Sequence, residues 1–580
     1  MLKRTHYCGE LRAGHVGREV VLAGWVQRVR DIGHLVFVDL RDREGLVQLV
    51  FTSDSPALLE AAKKLRPECV AAAAGRVRRR EPGLVNPGMD TGEVEVLADR
   101  LELIASSRVP PFQVVDPAQA AEELRFKYRY LDLRRPSMQK NLRLRHEAAL
   151  AVRNHLSERG FVEVETPFLT KSTPEGARDY LVPSRIYKGR FYALPQSPQL
   201  FKQLLMVAGF DRYFQVVRCF RDEDLRADRQ PEFTQVDIEM SFVDREDIYT
   251  LTEGLMVEVF RLIGHELKTP FPRLTHRESL ERYGTDKPDL RGGMDIKDLT
   301  DVAAGLGSEA AAAAVGAGGV LKAIVVRGAA GLSRSRLDKL SDKAKAFGAP
   351  GLFWVKKEAG WKASLKVPET SYELIWKQTG ADEGDLVLLA AGKREPILRS
   401  LGEVRKELLA ELVRGQDLFE FVWVTDFPLM EWSEEEGRLV SVHHPFTSPN
   451  PEDLDRLESD PASVRALAYD IVLNGYELGG GSIRIHDTGL QKRVFKVLGL
   501  SEQEAEEKFG FLLEALSYGA PPHGGIALGF DRMVMLLAGE ESLREVIPFP
   551  KTTSALDLMT GSPSEVPERQ LEELGIKVKK

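Results

Sequence analysis

Three stretches of this chain carry residues whose types and spacing suit charged ligands. The first is Arg218-Cys219-Phe220-Arg221-Asp222-Glu223-Asp224, continued by Arg226, Asp228, Arg229 and Gln230. It lies between two apolar, β-branched runs, 213–217 and 233–240. In the second run Gln235, Asp237 and Glu239 alternate with Val236, Ile238 and Met240, so one strand face is apolar and the other carries fixed polar groups. A solvated hairpin tip explains a charged loop by itself. Acidic side chains that alternate along a strand face a cleft instead. The second stretch holds Asp470 and Glu477, which flank Asn474-Gly475; a hairpin there brings both carboxylates to one place. Gly479, Gly480 and Gly481 follow and leave room for a ligand to approach the backbone. The third stretch, 525–532, reads as a strand turning through Gly529 into an apolar helix with Arg532 near its start. Planar guanidinium groups grip phosphate oxygens in pairs, so arginines placed at such turns suit a phosphorylated ligand.

Other signals narrow the choice. His443-His444 has no third His or Cys nearby and makes a poor zinc site. No Gly-x-x-x-x-Gly-Lys-Ser/Thr loop occurs, so a nucleotide has to be held by other means. Gly316-Ala317-Gly318 follows an alanine-rich helix rather than a strand and lacks the third glycine of a dinucleotide-binding turn. The chain has 580 residues, enough for several domains, and its 43% hydrophobic and 29% charged content suits a globular protein. A net charge of −8 means that nucleic acid, if bound, meets local basic patches. Cys8, Cys69 and Cys219 are too widely spaced for a metal pattern or a disulfide framework, which fits a reducing cytoplasm. No apolar run reaches the roughly 18 residues of a membrane span, and the N-terminal residues lack an apolar signal core.

The elements that position these groups follow from periodicity. Alternating runs at 20–30, 35–40, 45–51, 70–79 and 94–104, with a helix at 56–65, predict a five-stranded OB barrel within 1–104. Such barrels bind single-stranded nucleic acid on the face of their first three strands. Phe37 is placed there to stack a base, and Arg30 and Gln48 to bond base edges; a plain barrel core is the competing reading. Arg76, Arg78, Arg79 and Arg80 form either a phosphate contact or a solvated face. Pro110, Pro111 and Pro117 mark a hinge at 105–140, where Arg125, Lys127, Arg129, Arg134 and Arg135 predict a basic surface. A helix starts at Asn141, carries Leu142, Ala149, Val152 and Leu156 on one stripe, and stops at Gly160. The segment 172–178 is a breaker-rich loop. Ser197-Pro198 reads as N-cap and first turn of a helix bearing Gln199 and Lys202. The interruption at 285–415 has its own helix (308–316) and strands (323–327, 352–356, 385–390), which predicts an inserted α/β domain.

The helix and strand at 142–167, the Phe220-Arg221-Asp222-Glu223 run and the Gly529-Phe530-Asp531-Arg532 turn resemble motifs 1, 2 and 3 of the class II aminoacyl-tRNA synthetases, in order. With the barrel and the insert, the resemblance covers nearly the whole chain and points to the bacterial aspartyl branch of that family. It implies a multidomain α/β fold: an OB-fold anticodon-binding domain over 1–104, a hinge over 105–140, and an inserted α/β domain over 285–415. The catalytic domain, an antiparallel sheet flanked by helices, would take 141–284 and 416–580, the latter with a C-terminal extension. The implied reaction is ATP-dependent activation of L-aspartate and transfer to tRNA(Asp) rather than tRNA(Asn), by a cytoplasmic homodimer that uses Mg²⁺ and touches no membrane.

Carried over residue by residue, Arg221 and Arg532 would be catalytic. Glu175, Ser197, Gln199, Lys202, Arg221, Asp237, His443 and Arg484 would bind aspartate, with Asp237 as counter-charge to the two cations of the empty pocket. Arg221, Asp222, Glu223, Gln230, Glu477, Gly529, Phe530, Asp531 and Arg532 would bind ATP. Asp470 and Glu477 would hold the metal, and Arg30, Phe37 and Gln48 would read the anticodon. Asparaginyl and lysyl enzymes share the barrel and the motifs, but the insert, Lys202 and Arg484 disfavour them. Intact Arg221, Glu477 and Arg532 disfavour a non-catalytic tRNA-binding paralogue. Lys339-Leu340-Ser341-Asp342-Lys343 echoes a class I signature without its partner motif. The insert, absent from shorter relatives, is expected to be dispensable for activation.

Overall fold

The computed structural model describes residues 2–173, 177–413, 415–416 and 418–579, so Glu175 lies outside the described residues. Backbone contacts divide it into two compact units. One comprises Met1–Glu147, Asp224–Pro231 and Val534–Gln570; the other comprises Ala148–Glu223, Glu232–Met533 and Leu571–Lys580.

The first unit contains a closed barrel of β1 (Glu19–Asp31), β2 (Leu35–Asp42), β3 (Gly45–Thr52), β4 (Val70–Arg79) and β5 (Val94–Ala105), in the order β1-β2-β3-β5-β4. Strand alternation sends Val20, Leu22, Val26, Val36, Val38 and Leu40 inward, where Leu59 and Ala62 of α1 (Pro56–Lys63) join them. The outer face brings the three sequence-predicted readers together. Arg30 pairs in register with Phe37, its guanidinium 5.3 Å from the ring centroid, and donates to Gln48 at 2.8 Å. Arg80 departs from the expected basic run: it is buried, and its Nε donates to the Val94 carbonyl at 3.1 Å.

The basic hinge surface is also corrected. Short helices α2 (Glu122–Lys127) and α3 (Arg129–Asp132) lead into α4 (Pro136–Glu158). Asp132 is fully buried and accepts from Arg125 at 2.9 Å, Arg129 at 2.5 Å and Arg135 at 2.7 Å. Arg125 also forks onto Glu545 at 2.7 and 2.9 Å, and Arg135 reaches Asp116 at 2.5 Å. Arg129 donates to the carbonyls of Arg544, Ile547 and Pro548, and Arg134 pairs with Glu68. These guanidinium groups tie the unit together instead of facing a polyanion. Composition could not reveal this, because Glu545 lies 420 residues from Arg125.

The second unit is organised by an eight-stranded sheet. Its order is β11 (Arg273–Thr275), β17 (Phe421–Thr425), β20 (Ala468–Leu473), β21 (Tyr476–Ile483), β22 (His523–Gly529), β10 (Glu232–Ser241), β9 (Arg212–Phe220) and β6 (Val162–Glu163). All neighbours are antiparallel except the two edge pairs. Two hairpins, β7–β8 (Leu181–Pro183, Phe191–Ala193) and β18–β19 (Met430–Ser433, Arg438–Ser441), lie outside it. Helix α6 (Arg245–Arg261) packs Tyr249 against Trp423 and Tyr469. Helices α5 (Gln199–Val207), α12 (Thr488–Val497) and α13 (Glu502–Ser517) share a cluster of Leu200, Phe446, Phe495 and Phe509. Helix α7 (His276–Tyr283) follows β11, α14 (Phe530–Ala538) follows β22, and α15 (Glu568–Leu574) lies near the C-terminus.

A separate five-stranded sheet orders β12 (Lys297–Asp298), β13 (Val320–Val326), β16 (Leu386–Gly392), β14 (Phe353–Lys357) and β15 (Trp361–Ala363). Alternate residues of β13 and β16 point to opposite sides. Ile324, Val326, Leu386 and Leu388 meet α9 (Arg334–Ala346) and α11 (Arg394–Leu412). Ala323, Val325, Val387 and Leu389 meet α8 (Glu309–Gly316) and α10 (Glu369–Thr379). The class I echo lies within α9, with Leu340 buried, and its Lys343 pairs with Glu407 of α11 at 3.0 Å. The insert is knit to α7, where Glu281 accepts from Lys322 at 3.0 Å and from Arg394.

Burial pushes the Asp132 carboxyl up, but its three arginines outweigh burial and hold it below the ordinary carboxylate range. Its stabilisation is therefore present above the unfolded-state pKa and lost as pH falls through the lower folded value. Asp132→Asn should cost about 3–5 kcal/mol, as for breaking a buried pair. Urea unfolding at neutral pH checks this: an unchanged midpoint removes Asp132 from the centre of that network.

Candidate functional site

Strand register lines up two rows across the main sheet. One runs Gln215, Asp237, Ala527, Gly480, Asp470; the next runs Tyr213, Glu239, Gly525, Ser482, Ala468. Small residues separate the carboxylates and leave a trough. Three strand spacings put Asp237 and Asp470 about 14 Å apart at their backbones. The glycines are needed for close approach, but not of a ligand. A Cβ on Gly480 would lie 2.4 Å from Asp470 Oδ1, and one on Gly525 would lie 2.2 Å from Glu239 Oε2. A Cβ on Gly481 would meet the Gly525 carbonyl at 2.0 Å. The predicted ligand approach at 479–481 is thus corrected: these positions admit the chain's own carboxylate and the neighbouring strand.

Four buried charges sit at one end of the trough. Lys202, in the first turn of α5, places Nζ 2.9 Å from Asp237 Oδ1 and 3.3 Å from Glu239 Oε2. Arg484, just past β21, forks onto Glu239 at 2.9 and 3.2 Å and donates to Ser482 at 2.8 Å. Arg484 was expected to take Asp237 as its counter-charge; Glu239 takes that role, because the register sets Glu239 beside Gly525 and Ser482. Burial pushes the Glu239 carboxyl up, but Arg484 and Lys202 outweigh it and hold it low. Asp237 is different: burial prevails over Lys202 and raises it. Its buried Oδ2 has no hydrogen-bond partner among the described residues. Gln199 donates to Gln203 at 3.0 Å, and Gln203 Nε2 lies 3.2 Å from His523 Nε2. Helix α5 begins at Gln199, with Pro198 as N-cap rather than first helical residue. Ser197 Oγ still accepts the Gln199 amide at 3.3 Å.

The other end of the trough carries Asp470 and Glu477. His443 Nε2 lies 3.0 Å from Asp470 Oδ1, and Lys287 Nζ lies 2.9 Å from Glu477 Oε2. Burial, then Glu477, hold the Asp470 carboxyl up against His443; Glu477 is held down by Lys287 against burial. Burial pushes the neighbouring His444 down to about 3, so it is neutral. Its Nδ1 accepts the Phe446 amide at 3.4 Å, which assigns the proton to Nε2. Among the described residues no group of three or more His, Cys, Asp and Glu makes a closed metal cage. A buried carboxylate beside a half-buried one suits a hard cation that completes its shell with other oxygens.

Arg221 follows β9, with its guanidinium 5.0 Å from the Phe233 ring and a buried Nε that has no partner among the described residues. Asp222 bonds back to the Arg178 carbonyl at 3.1 Å, and Glu223 follows it, half-buried. After Gly529, Phe530 is buried and Asp531 accepts the Thr234 amide at 2.8 Å, which ties β10 to the start of α14. Arg532 donates to the Glu477 carbonyl. Gln230, in the first unit, spends both ends of its amide on the Lys551 backbone, at 2.8 and 3.1 Å. The structure therefore brings together Lys202, Asp237 and Arg484 at one end and His443, Asp470 and Glu477 at the other. Sequence reasoning missed Glu239, Ser482, His523 and Lys287 as site residues. Only Glu239 carried a signal, its place in the Gln235–Asp237–Glu239 alternation.

Residues 121–553 match the profile of the class II tRNA synthetases (D, K and N), and residues 20–104 match that of the OB-fold nucleic acid binding domain. With this sheet and barrel, the chain belongs to the class II tRNA synthetases. It is 55% identical to the aspartate–tRNA(Asp/Asn) ligase of Caldanaerobacter subterraneus subsp. tengcongensis, over 100% of this chain and 98% of the relative. It is 53% identical to the aspartate–tRNA ligase of Clostridium perfringens, over 99% of this chain and 97% of the relative. The asparaginyl-tRNA synthetase of Pyrococcus horikoshii complexed with asparaginyl-adenylate has a similar fold, with a TM-score of 0.61 at 21% identity, covering 96% of this chain and 100% of that one.

Glu239→Gln should leave Arg484 without its counter-charge and destabilise the second unit by about 3–5 kcal/mol. Thermal unfolding that matches the wild type would mean that another group balances Arg484.

Proposed function

We propose that this chain activates L-aspartate with ATP and transfers the aspartyl group to tRNA(Asp). The observation that carries the choice of substrate is the pair of buried cations, Lys202 and Arg484, converging at one end of the trough. Aspartate and asparagine have nearly the same shape and differ in one charge. Two fixed cations favour the carboxylate and leave an amide poorly paired. Ser197, Gln199 and Asp237 would line the same end and His443 would face it from the Asp470 side, while the family resemblance adds Glu175, which lies outside the described residues.

In the first step an oxygen of the aspartate α-carboxylate attacks the α-phosphorus of ATP. The bond to the bridging oxygen breaks, and pyrophosphate leaves with the electron pair. In the second step a hydroxyl of the terminal ribose of tRNA attacks the acyl carbon, its proton is released, and AMP leaves. The protein contributes positioning and preorganised charge rather than a covalent nucleophile. Arg221 holds the α-phosphate and the substrate carboxylate, and Arg532 holds the γ-phosphate. Asp222, Glu223, Gly529, Phe530 and Asp531 would shape the rest of the ATP site, and Gln230 is added on the family resemblance alone, its amide being bonded to the Lys551 backbone. Asp470 and Glu477 would hold Mg²⁺, whose charge offsets that of the phosphates when it is bound.

The barrel over 1–104 reads the anticodon through Arg30, Phe37 and Gln48, joined through 105–140 to a catalytic domain over 141–284 and 416–580, with the insert at 285–415. The active form is a homodimer. Leu150 and Val162, exposed on the motif 1 segment, and Phe168 and Leu169, exposed just after it, support a two-fold contact there. No helix among the described residues is long and apolar enough to cross a membrane, and a cytoplasmic location fits the translation role. A second reading, charging of both tRNA(Asp) and tRNA(Asn), is favoured by the name of the Caldanaerobacter relative. Charging of purified tRNA(Asp) and tRNA(Asn) side by side decides between them.

Arg221→Ala and Arg532→Ala should each slow aspartate-dependent pyrophosphate exchange by about 10²–10³, the range for one preorganised charge contact; near-wild-type exchange overturns the assignment. Arg484→Leu should reduce aspartate use about a hundredfold or more while ATP affinity holds, since a buried partner is left unpaired. Phe37→Ala should weaken tRNA use by about 1–3 kcal/mol, the worth of one stacked base, without changing pyrophosphate exchange. Loss of both activities together would make Phe37 a folding residue instead.

A further inference from the structure

We propose that Lys287 is a built-in counter-ion of the divalent-cation site, set in place by helix α11 of the inserted domain and displaced when the cation arrives with ATP, a role that rests on the reading of Asp470 and Glu477 as cation ligands. Lys287 lies on a strap, 284–294, that links α7 to the inserted sheet. The strap is clamped along its length by α11. Gly284 has φ of +70°, and a Cβ there would lie 2.1 Å from the Leu398 carbonyl and 2.9 Å from Gly402 Cα. Gly292 has φ of +71°, and a Cβ there would lie 2.8 Å from Leu409 Cδ2. Between them Arg405, 2% exposed, donates to the carbonyls of Asp289, Gly293 (2.9 Å) and Met294 (3.2 Å). Its guanidinium also lies 4.8 Å from the Tyr283 ring. A charged side chain that satisfies three carbonyls in a buried position is a rigid fastening.

The other side of the strap meets the hairpin that carries both carboxylates. A Cβ on Gly475, in the β20–β21 turn, would lie 3.4 Å from Asp289 Cβ. The turn is pinned by Asn474, which donates to the Leu418 carbonyl at 2.7 Å and accepts the Glu420 amide at 3.0 Å. Lys287 therefore meets Glu477 from a fixed backbone rather than as a loose surface lysine. Each carboxylate then has its own partner: His443 on Asp470, Lys287 on Glu477. An ammonium group and a divalent ion cannot share one carboxylate without strong repulsion. The Lys287 side chain is 39% exposed, so it can swing into solvent when the ion enters. A lone cation has to compete with Lys287, whereas a cation arriving with the phosphates of ATP brings the negative charge that tips the balance. The inserted domain thus acts on the active site through Arg405, and excision of 290–410 removes the fastening along with the fold.

The test titrates Mn²⁺ into the full-length protein without ATP or aspartate, with free Mn²⁺ read by electron paramagnetic resonance. Lys287→Met should bind Mn²⁺ about fivefold tighter or more than wild type, the lower range of a site-to-site coupling. Lys287→Arg, which keeps the charge, should bind as wild type, and Arg405→Lys, which loosens the strap, should fall between. Glu477→Gln should weaken binding in every background. Unchanged or weaker Mn²⁺ binding by Lys287→Met, with Glu477→Gln still weakening it, overturns the counter-ion role alone. Mn²⁺ binding that Glu477→Gln leaves unchanged overturns the ligand reading and the counter-ion role together.

Discussion

Two cations and two carboxylates are buried together on the floor of one sheet, and much of the second unit serves to keep them there. Removing such charges from water is expensive unless each finds a partner with good geometry. Lys202 meets two carboxylates as a point charge, and Arg484 meets Glu239 as a fork. These contacts require glycine at 525, where a side chain would collide with Glu239 and the Ile238 carbonyl. They also require α5 to begin at Gln199, since that start aims Lys202 into the trough. The net charge of the four groups is zero, yet the unpartnered Asp237 oxygen leaves the cluster unfinished. A preorganised polar pocket of this kind binds a zwitterion without first having to rearrange.

Both units use the same device, a buried carboxylate that gathers cations, from within seven residues at Asp132 and from 35 and 245 residues away at Asp237 and Glu239. Asp132 collects three arginines in the first unit, as Asp237 and Glu239 collect Lys202 and Arg484 in the second. The consequence for function differs. In the first unit the arginines are consumed, and the hinge loses the basic surface that its composition suggests. In the second, one oxygen and the edges of the trough stay available.

The opposite end of the trough shows how the inserted domain touches the chemistry. Its two cores, on the two faces of its sheet, make it self-supporting. Its contacts with α7 and with the strap make it more than an appendage. Glu281, Gly284 and Arg405 fasten it within the same compact unit as the carboxylates at Asp470 and Glu477. An excision that leaves activation intact would have to keep the hairpin in place without these fastenings.

Much was legible in the residues alone. The period-2 alternation at 233–240 predicted a strand with one polar face, and β10 has it. The turn chemistry of Asn474-Gly475 predicted the β20–β21 hairpin, and both residues adopt positive φ. The five barrel strands and the three ordered motifs were readable for the same reason: strand period, turn residues and short motifs depend on neighbours a few positions away. Partner choice does not. Arg484 bonds Glu239 rather than Asp237 across 245 residues, because strand register decides which carboxylate lies beside it. Arg125 finds Glu545, and Lys287 finds Glu477, across similarly long separations through packing of helices and loops. The sequence by itself determined the elements, their order and the chemical types in the site. Only the tertiary structure decided which charges are paired, which are left for a ligand, and which the fold consumes, since that depends on distances set by the packing of the whole sheet.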